Sequence, residues 1–134
     1  MKKRVVLITG VSSGIGLELA KKFIKKGDIV YGSSRHEFNL EGLNHIVCDV
    51  SKLDDCQNAI KEIVEKEKTL DLVINNAGMG ISGSIENTSE QDARKIFDTN
   101  FFGTFFICKS ALPYLRKSKG RIINVSSVAS KFYI

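Results

Sequence analysis

Three groups of residues in this chain have types and spacings with chemical use. The first is TGVSSGIG, Thr9 to Gly16, with glycines at 10, 14 and 16 directly after an apolar run. A turn of this kind suits an anionic ligand. Gly10 permits a sharp exit from a strand, and Gly14 lets backbone come close to a pyrophosphate. Gly16 lets a helix and a sheet pack tightly, while the helix N-terminus offers free N–H groups and a positive dipole end. Ser12 and Ser13 add hydroxyl donors. By itself such a turn is a weak signal, because many glycine-rich turns are only turns.

The second group falls at the ends of later apolar runs. Asp49 follows Cys48 in CDV, where its carboxylate can accept from an adenine amino group. NNAG, Asn75 to Gly78, supplies small residues against which a nucleotide can lie, although Asn75 can equally tie strand ends together. YGSSRHE places Ser34 beside Arg35, and a guanidinium next to a hydroxyl suits phosphate, which Arg grips as a fork. An exposed loop arginine is the bland alternative.

The third group is Asn100 in DTNFFG and the serine pair of INVSS. A lone Asn in so apolar a helix needs a reason, and a serine at a strand end can orient a bound group. Spacing alone does not choose between Ser126 and Ser127.

These residues need a scaffold at the ends of strands. RVVLIT, DIVYGS, HIVCDV, DLVINN and RIINVSS are short, rich in Val and Ile, and apolar on both faces, as in a parallel sheet covered by helices. Between the first two runs, Ile15, Leu19 and Phe23 form one i,i+4 row, Lys21, Lys22, Lys25 and Lys26 face out, and Gly27 supplies a C-cap. Ser51 is expected to start a second helix with Asp54 at the capping-box position. Thr88 or Ser89 should cap a long third helix running toward Lys117, which Pro113 should kink or end a turn early. RHEFNLEGLN leaves little room for a helix between the second and third strands. The fold class is therefore α/β, a Rossmann-type doubly wound parallel sheet in the order 3-2-1-4-5. Ligand belongs in the crevice outside the first and fourth strands, where the strand order reverses.

Bulk properties narrow the classes. One domain, residues 1–134, is the expectation for 134 residues, with 43% apolar and 26% charged residues pointing to a folded rather than disordered chain. The net charge of +5 argues weakly for nucleic acid, because the lysines are interleaved with acids, as in KEIVEKEK. RKSKGR at 116–121 reads as a solvated loop rather than a phosphate patch. The apolar run Val5 to Ile8 is too short for a signal peptide, and FFGTFFICKSAL is too short for a membrane span, so no membrane is expected and a cytoplasmic location is. Cys48, Cys56 and Cys108 form no metal-binding pattern and read as reduced thiols; no metal site is expected.

TGVSSGIG, CDV, NNAG, DTNFFG and INVSS, in that order along the whole chain, together resemble the short-chain dehydrogenase/reductase family. The resemblance implies hydride transfer at a nicotinamide, interconverting an alcohol and a carbonyl. It implies cofactor contacts from Gly10, Ser12, Ser13, Gly14, Ile15 and Gly16, then Ser34 and Arg35, then Asp49 and Val50, then Asn76, Ala77 and Gly78. Ser34 and Arg35 stand where an NAD-binding member would carry an acid, which implies NADP(H) rather than NAD(H). A homodimer or homotetramer and a small carbonyl or alcohol substrate are implied as well.

Catalysis in the family uses an Asn, a Ser, a Tyr and a Lys. Asn100 matches the Asn that holds a water in the proton relay, and Ser127 matches the Ser that fixes the carbonyl. The Tyr and Lys, as Tyr-x-x-x-Lys on the next helix, have no match. Tyr133 lies too close to Ser127 and has no lysine four residues on, Tyr114 follows Pro113, and Tyr31 sits inside a strand. The expectation is an N-terminal piece of an oxidoreductase, which binds cofactor without turnover and leaves the fifth strand and the helix FFGTFFICKSAL short of cover. The alternative is a non-catalytic dinucleotide-binding or sensor module.

Overall fold

The computed structural model describes residues 3–80 and 83–127. Strand β1 (Val5–Thr9) is followed by helix α1 (Gly14–Lys26), β2 (Ile29–Ser34) and β3 (Leu43–Val47). Helix α2 (Leu53–Glu67) leads to β4 (Leu72–Asn75), and α3 (Glu90–Phe97) runs through a π-helical turn (Asp98–Phe102) into α4 (Gly103–Ser118) and β5 (Arg121–Asn124). The five strands are parallel in the order β3-β2-β1-β4-β5, as expected.

Alternation along the central strand sorts the core into two layers. Val5 and Leu7 face α2 and α4, packing with Tyr31, Val73, Ile60, Ile63, Ile107, Ala111 and Leu115. Val6 and Ile8 face α1, with Val30, Leu72, Ile74 and Ala20 buried there and Leu19 and Phe23 packed against them. Each fully buried Leu or Ile contributes about 1.5–3 kcal/mol relative to exposure. Register places Leu7 between Tyr31 and Val73, and Ile8 between Gly32 and Ile74. All the β1 residues are buried, which fixes the strand whose end carries the glycine turn.

Helix α1 ends as read, with Gly27 at φ 98° and its N–H bonded to Ile24 O and Phe23 O. Ile15 departs from the row it was read into: it is 60% exposed at the start of the helix, beyond the reach of the sheet. No helix connects β2 to β3, in line with the short link.

Two expected caps need correction. Ser51 does not cap α2, which starts at Leu53 with Lys52 at the N-cap and no side-chain capping bond. Asp49 has claimed Ser51 instead, its Oδ1 accepting from Ser51 N at 3.0 Å and Ser51 Oγ at 2.7 Å. Of the alternatives for α3, Ser89 is the cap, accepting from Asp92 N at 3.1 Å. Pro113 does not end α4, which continues to Ser118 and closes on Lys119 in the left-handed region.

The expected shortfall of cover is present at one side of the molecule. β5 is an edge strand with Ile123 41% exposed, and Phe97, Phe101 and Phe105 on the α3–α4 helix are each more than half exposed. Among the described residues no helix is long and apolar enough to cross a membrane.

Candidate functional site

The carboxyl ends of β1, β2, β3 and β4 open into one cleft of about 270 Å³. Gly10, Ser12 and Ser13 line it from the β1–α1 turn, Ser33, Ser34 and Arg35 from the end of β2, and Cys48, Asp49 and Val50 from beyond β3. Asn76, Ala77, Gly78 and Met79 close it after β4, and Thr99 reaches it from the π turn. The sequence-predicted Gly14, Ile15 and Gly16 stand outside this lining, Gly14 and Ile15 exposed at the start of α1 and Gly16 buried beneath it.

The floor is built by close backbone approach. A Cβ on Gly10 would lie 2.8 Å from Ala77 Cα, and one on Gly16 would lie 2.1 Å from Gly10 O. Gly14 is different: its φ of +56° suits glycine, but nothing lies within 4 Å of the added carbon. The turns after β1 and β4 are tied together by side chains. Buried Thr9 accepts from Asn76 N at 3.0 Å and Ala77 N at 2.9 Å through its Oγ1. Asn76 Nδ2 donates to Gly10 O at 3.0 Å. Thr9 was not singled out in the sequence; its signal was a hydroxyl at the last position of a wholly apolar strand.

Several features fit an anionic, nucleotide-like ligand. Ser13 is the N-cap of α1 but makes no side-chain capping bond, and the first turn carries no acidic residue. The helix N-terminus therefore keeps its positive end undiminished. Ser33, also missed in the sequence, is 1% exposed and lines the cleft, and its Oγ has no hydrogen-bond partner among the described residues. A buried hydroxyl left so is costly unless a ligand or water completes it. Its signal was a polar residue on the same face of β2 as the buried Tyr31, two positions earlier.

Asp49 is held charged. Burial pushes its carboxyl up, but hydrogen bonds from the Ser51 side chain and backbone, with the charges of Lys52 and Arg35, outweigh this and keep it below the ordinary value. Asp49 N donates to Asp55 Oδ2 at 3.0 Å, which braces the loop that carries it. Val50, buried behind this loop, packs so closely on the helix that a Cβ on Gly103 would meet its Cγ2 at 2.7 Å.

Asn100 sits in the π turn, where Gly103 N–H reaches back to Asp98 O. Its side-chain amide is engaged on both sides by Met79: Oδ1 accepts from Met79 N and Nδ2 donates to Met79 O, each at 2.8 Å. Asn75 proves to be a tie between strand ends, donating to Asn124 Oδ1 at 2.9 Å. Ser127, exposed and just past β5, emerges at the same end of the sheet but does not line the cleft. Tyr133 lies outside the described residues. Cys48, Cys56 and Cys108 are free thiols.

Comparison with known proteins sharpens this picture. The chain is 41% identical over 130 residues to a 3-ketodihydrosphingosine reductase of Bacteroides thetaiotaomicron, covering 96% of this chain and 48% of that protein. It superposes on the ligand-free aldohexose dehydrogenase of Thermoplasma acidophilum with a TM-score of 0.91 and 36% identity, covering 95% of this chain and 50% of that one. On ElxO with NADP bound the TM-score is 0.90 at 32% identity, with 99% and 59% covered. The chain spans about half the length of the curated relatives it matches. A family model described as short chain dehydrogenase matches residues 4–134, and with the parallel sheet, the glycine turn after β1 and the Asn-Asn-Ala-Gly end of β4, the chain belongs to the short-chain dehydrogenase family.

Proposed function

We propose that the protein serves an NADP(H)-dependent oxidoreductase reaction that interconverts a small alcohol and a carbonyl. The observation that carries the cofactor choice is the pairing of Ser34 and Arg35 at the end of β2, both lining the cleft beside Ser12 and Ser13. No acid stands there to grip a ribose 2′-hydroxyl, whereas a hydroxyl and a guanidinium suit a 2′-phosphate. Relatives solved with NADP and with NAD are both among the structures this chain resembles, so the preference is argued from its own residues.

The bound nicotinamide supplies or accepts the hydride. The chain's own part is to hold and orient. Gly10, Gly14 and the N-terminus of α1, with Ser12, Ser13 and Ile15 beside them, receive the pyrophosphate, and Gly16 lets the helix close on the turn. Asp49, kept ionised, would accept from the adenine amino group, and Val50, also in the lining, would hold the adenine end of the cofactor. Asn76, Ala77 and Gly78 offer a small-residue wall. Asn100 fixes the backbone at Met79, next to that wall, and stands at the proton relay. Ser127 holds and polarises the carbonyl oxygen of the substrate.

Proton transfer to that oxygen requires a hydroxyl of lowered pKa, and the 134 residues contain no Tyr-x-x-x-Lys to supply it. This chain alone is therefore expected to bind NADPH and to show no carbonyl-dependent oxidation of it. The exposed Phe97, Phe101 and Phe105 are the face on which a dimer or tetramer would form. Fluorescence titration with NADPH and NADH tests the cofactor assignment. Ser34→Asp combined with Arg35→Ala should shift preference toward NADH, and unchanged NADPH affinity in that variant overturns it. Turnover by the purified chain overturns the argument about the absent tyrosine.

A further inference from the structure

Ser34 does not meet the cleft alone. Its Oγ lies 2.8 Å from His36 O and 2.6 Å from His45 Nε2. A hydroxyl has one proton, and the carbonyl of His36 can only accept. Ser34 therefore donates to His36 O, and His45 must donate its Nε2–H to Ser34. This places a proton on Nε2, while Nδ1 faces Glu37, whose Oε2 is 3.9 Å away. The ring is held from the side as well: Phe38 meets it edge-on at 6.2 Å between centroids, and the His45 side chain is only 9% exposed.

A phosphate oxygen can only accept, so Ser34 serves a 2′-phosphate by turning its one proton from His36 O to the ligand. The lone pair that might otherwise compete for that geometry is already occupied by the Nε2–H of His45. The hydroxyl oxygen is thus oriented and polarised before the ligand arrives, with His45 on β3 acting from behind Ser34 on β2. His45 itself is absent from the cleft lining.

We infer that His45 is a positioning residue for cofactor selectivity: through Ser34 it favours a 2′-phosphorylated dinucleotide over one with a free 2′-hydroxyl. The inference rests on the NADP(H) reading above and goes beyond it, because it assigns selectivity to a side chain that makes no contact with the ligand.

The test measures dissociation constants for NADPH and NADH by fluorescence titration, and for adenosine 2′,5′-bisphosphate and ADP by competition. His45→Leu removes the donor and should weaken NADPH and the bisphosphate by about tenfold, the scale of a lost hydrogen bond supporting a charged ligand. NADH and ADP should be unmoved. His45→Gln, whose amide nitrogen reaches about as far as Nε2, should restore most of the NADPH affinity, whereas the shorter His45→Asn should not. These two polar variants decide the matter even if the leucine variant folds poorly. On a Ser34→Ala background the His45→Leu change should cost nothing more, since its effect runs through the missing hydroxyl. Equal losses for NADPH and NADH, equal behaviour of the Gln and Asn variants, or an additive double variant would each overturn the inference. A wild-type protein without NADPH preference overturns the cofactor reading and this inference with it; an NADPH-over-NADH preference undiminished in His45→Asn overturns the inference alone.

Discussion

Asn100 and Met79 form a two-way clasp, the side-chain amide of one matching the backbone N–H and C=O of the other at 2.8 Å on each side. It joins the helical turn that carries Asn100 to the loop after β4.

Cutting that clasp should be felt in both stability and binding. Asn100→Ala removes two hydrogen bonds and is expected to destabilise the protein by about 1–3 kcal/mol. Since Met79 lines the cleft, NADPH affinity should fall as well. Asn100→Asp keeps the acceptor but loses the donor, placing a carboxylate against Met79 O, and should not rescue either property. Urea denaturation and cofactor titration on the same samples provide the check.

The glycines of the turn should differ sharply in their tolerance of a methyl group. Gly14→Ala meets no neighbour and carries only the left-handed backbone cost, about 1–2 kcal/mol. Gly16→Ala drives a carbon toward Gly10 O and Asn76 Nδ2, groups that cannot move without opening the β1–α1 turn. It should cost more than Gly14→Ala and abolish dinucleotide binding. Thermal melts of the two variants side by side would expose a reversed order.

Thr9 supports the other side of the same floor. Thr9→Val preserves shape but leaves the N–H groups of Asn76 and Ala77 without their acceptor, an expected loss of about 2–4 kcal/mol. Thr9→Ser retains the oxygen and should lose much less. Comparison of their denaturant midpoints isolates the hydroxyl from the packing.

Asp49 gives the protein an acid-side dependence with a defined sign. Its folded pKa is depressed, so its stabilising contribution is complete above the unfolded value, about 3.9, and is lost as pH falls through the folded value below that. Ser51→Ala deletes one of the bonds that hold the carboxylate charged, and should move its titration upward. An NMR titration of the Asp49 carboxyl carbon reads this directly.

Much of the fold was legible because each strand is a short β-branched run and each run ends in residues with a different job. Strand order followed from connectivity and family pattern, and the cleft-lining residues clustered where strand ends converge. What misled were side chains with two available partners. Ser51 reads as a helix cap, but Asp49 lies two residues before it and takes both its N–H and its hydroxyl. Ile15 has the spacing of a core residue, yet at the first turn of α1 it projects beyond the sheet it was meant to cover. Thr9 and Ser33 were passed over for the opposite reason: small hydroxyls at strand ends are common, and only the tertiary approach of β4 or the open cleft gives each its role. Asn75 was left open between a tie and a ligand, and its partner Asn124 is forty-nine positions away, beyond any local pattern.

The π turn at Asp98–Phe102 bears on how this protein tolerates change in length. An added residue within a helix advances everything after it by about a hundred degrees, because each residue turns the helix by that angle. Upstream lies a segment with no buried residue, and downstream lies the row Ile107, Ala111 and Leu115 that closes the core. The widened turn acts as a phase adjuster between these two stretches while aiming Asn100 at Met79. Losing one residue there would be less a shortening than a rotation, setting the clasp and the core row in competition for a single helical phase.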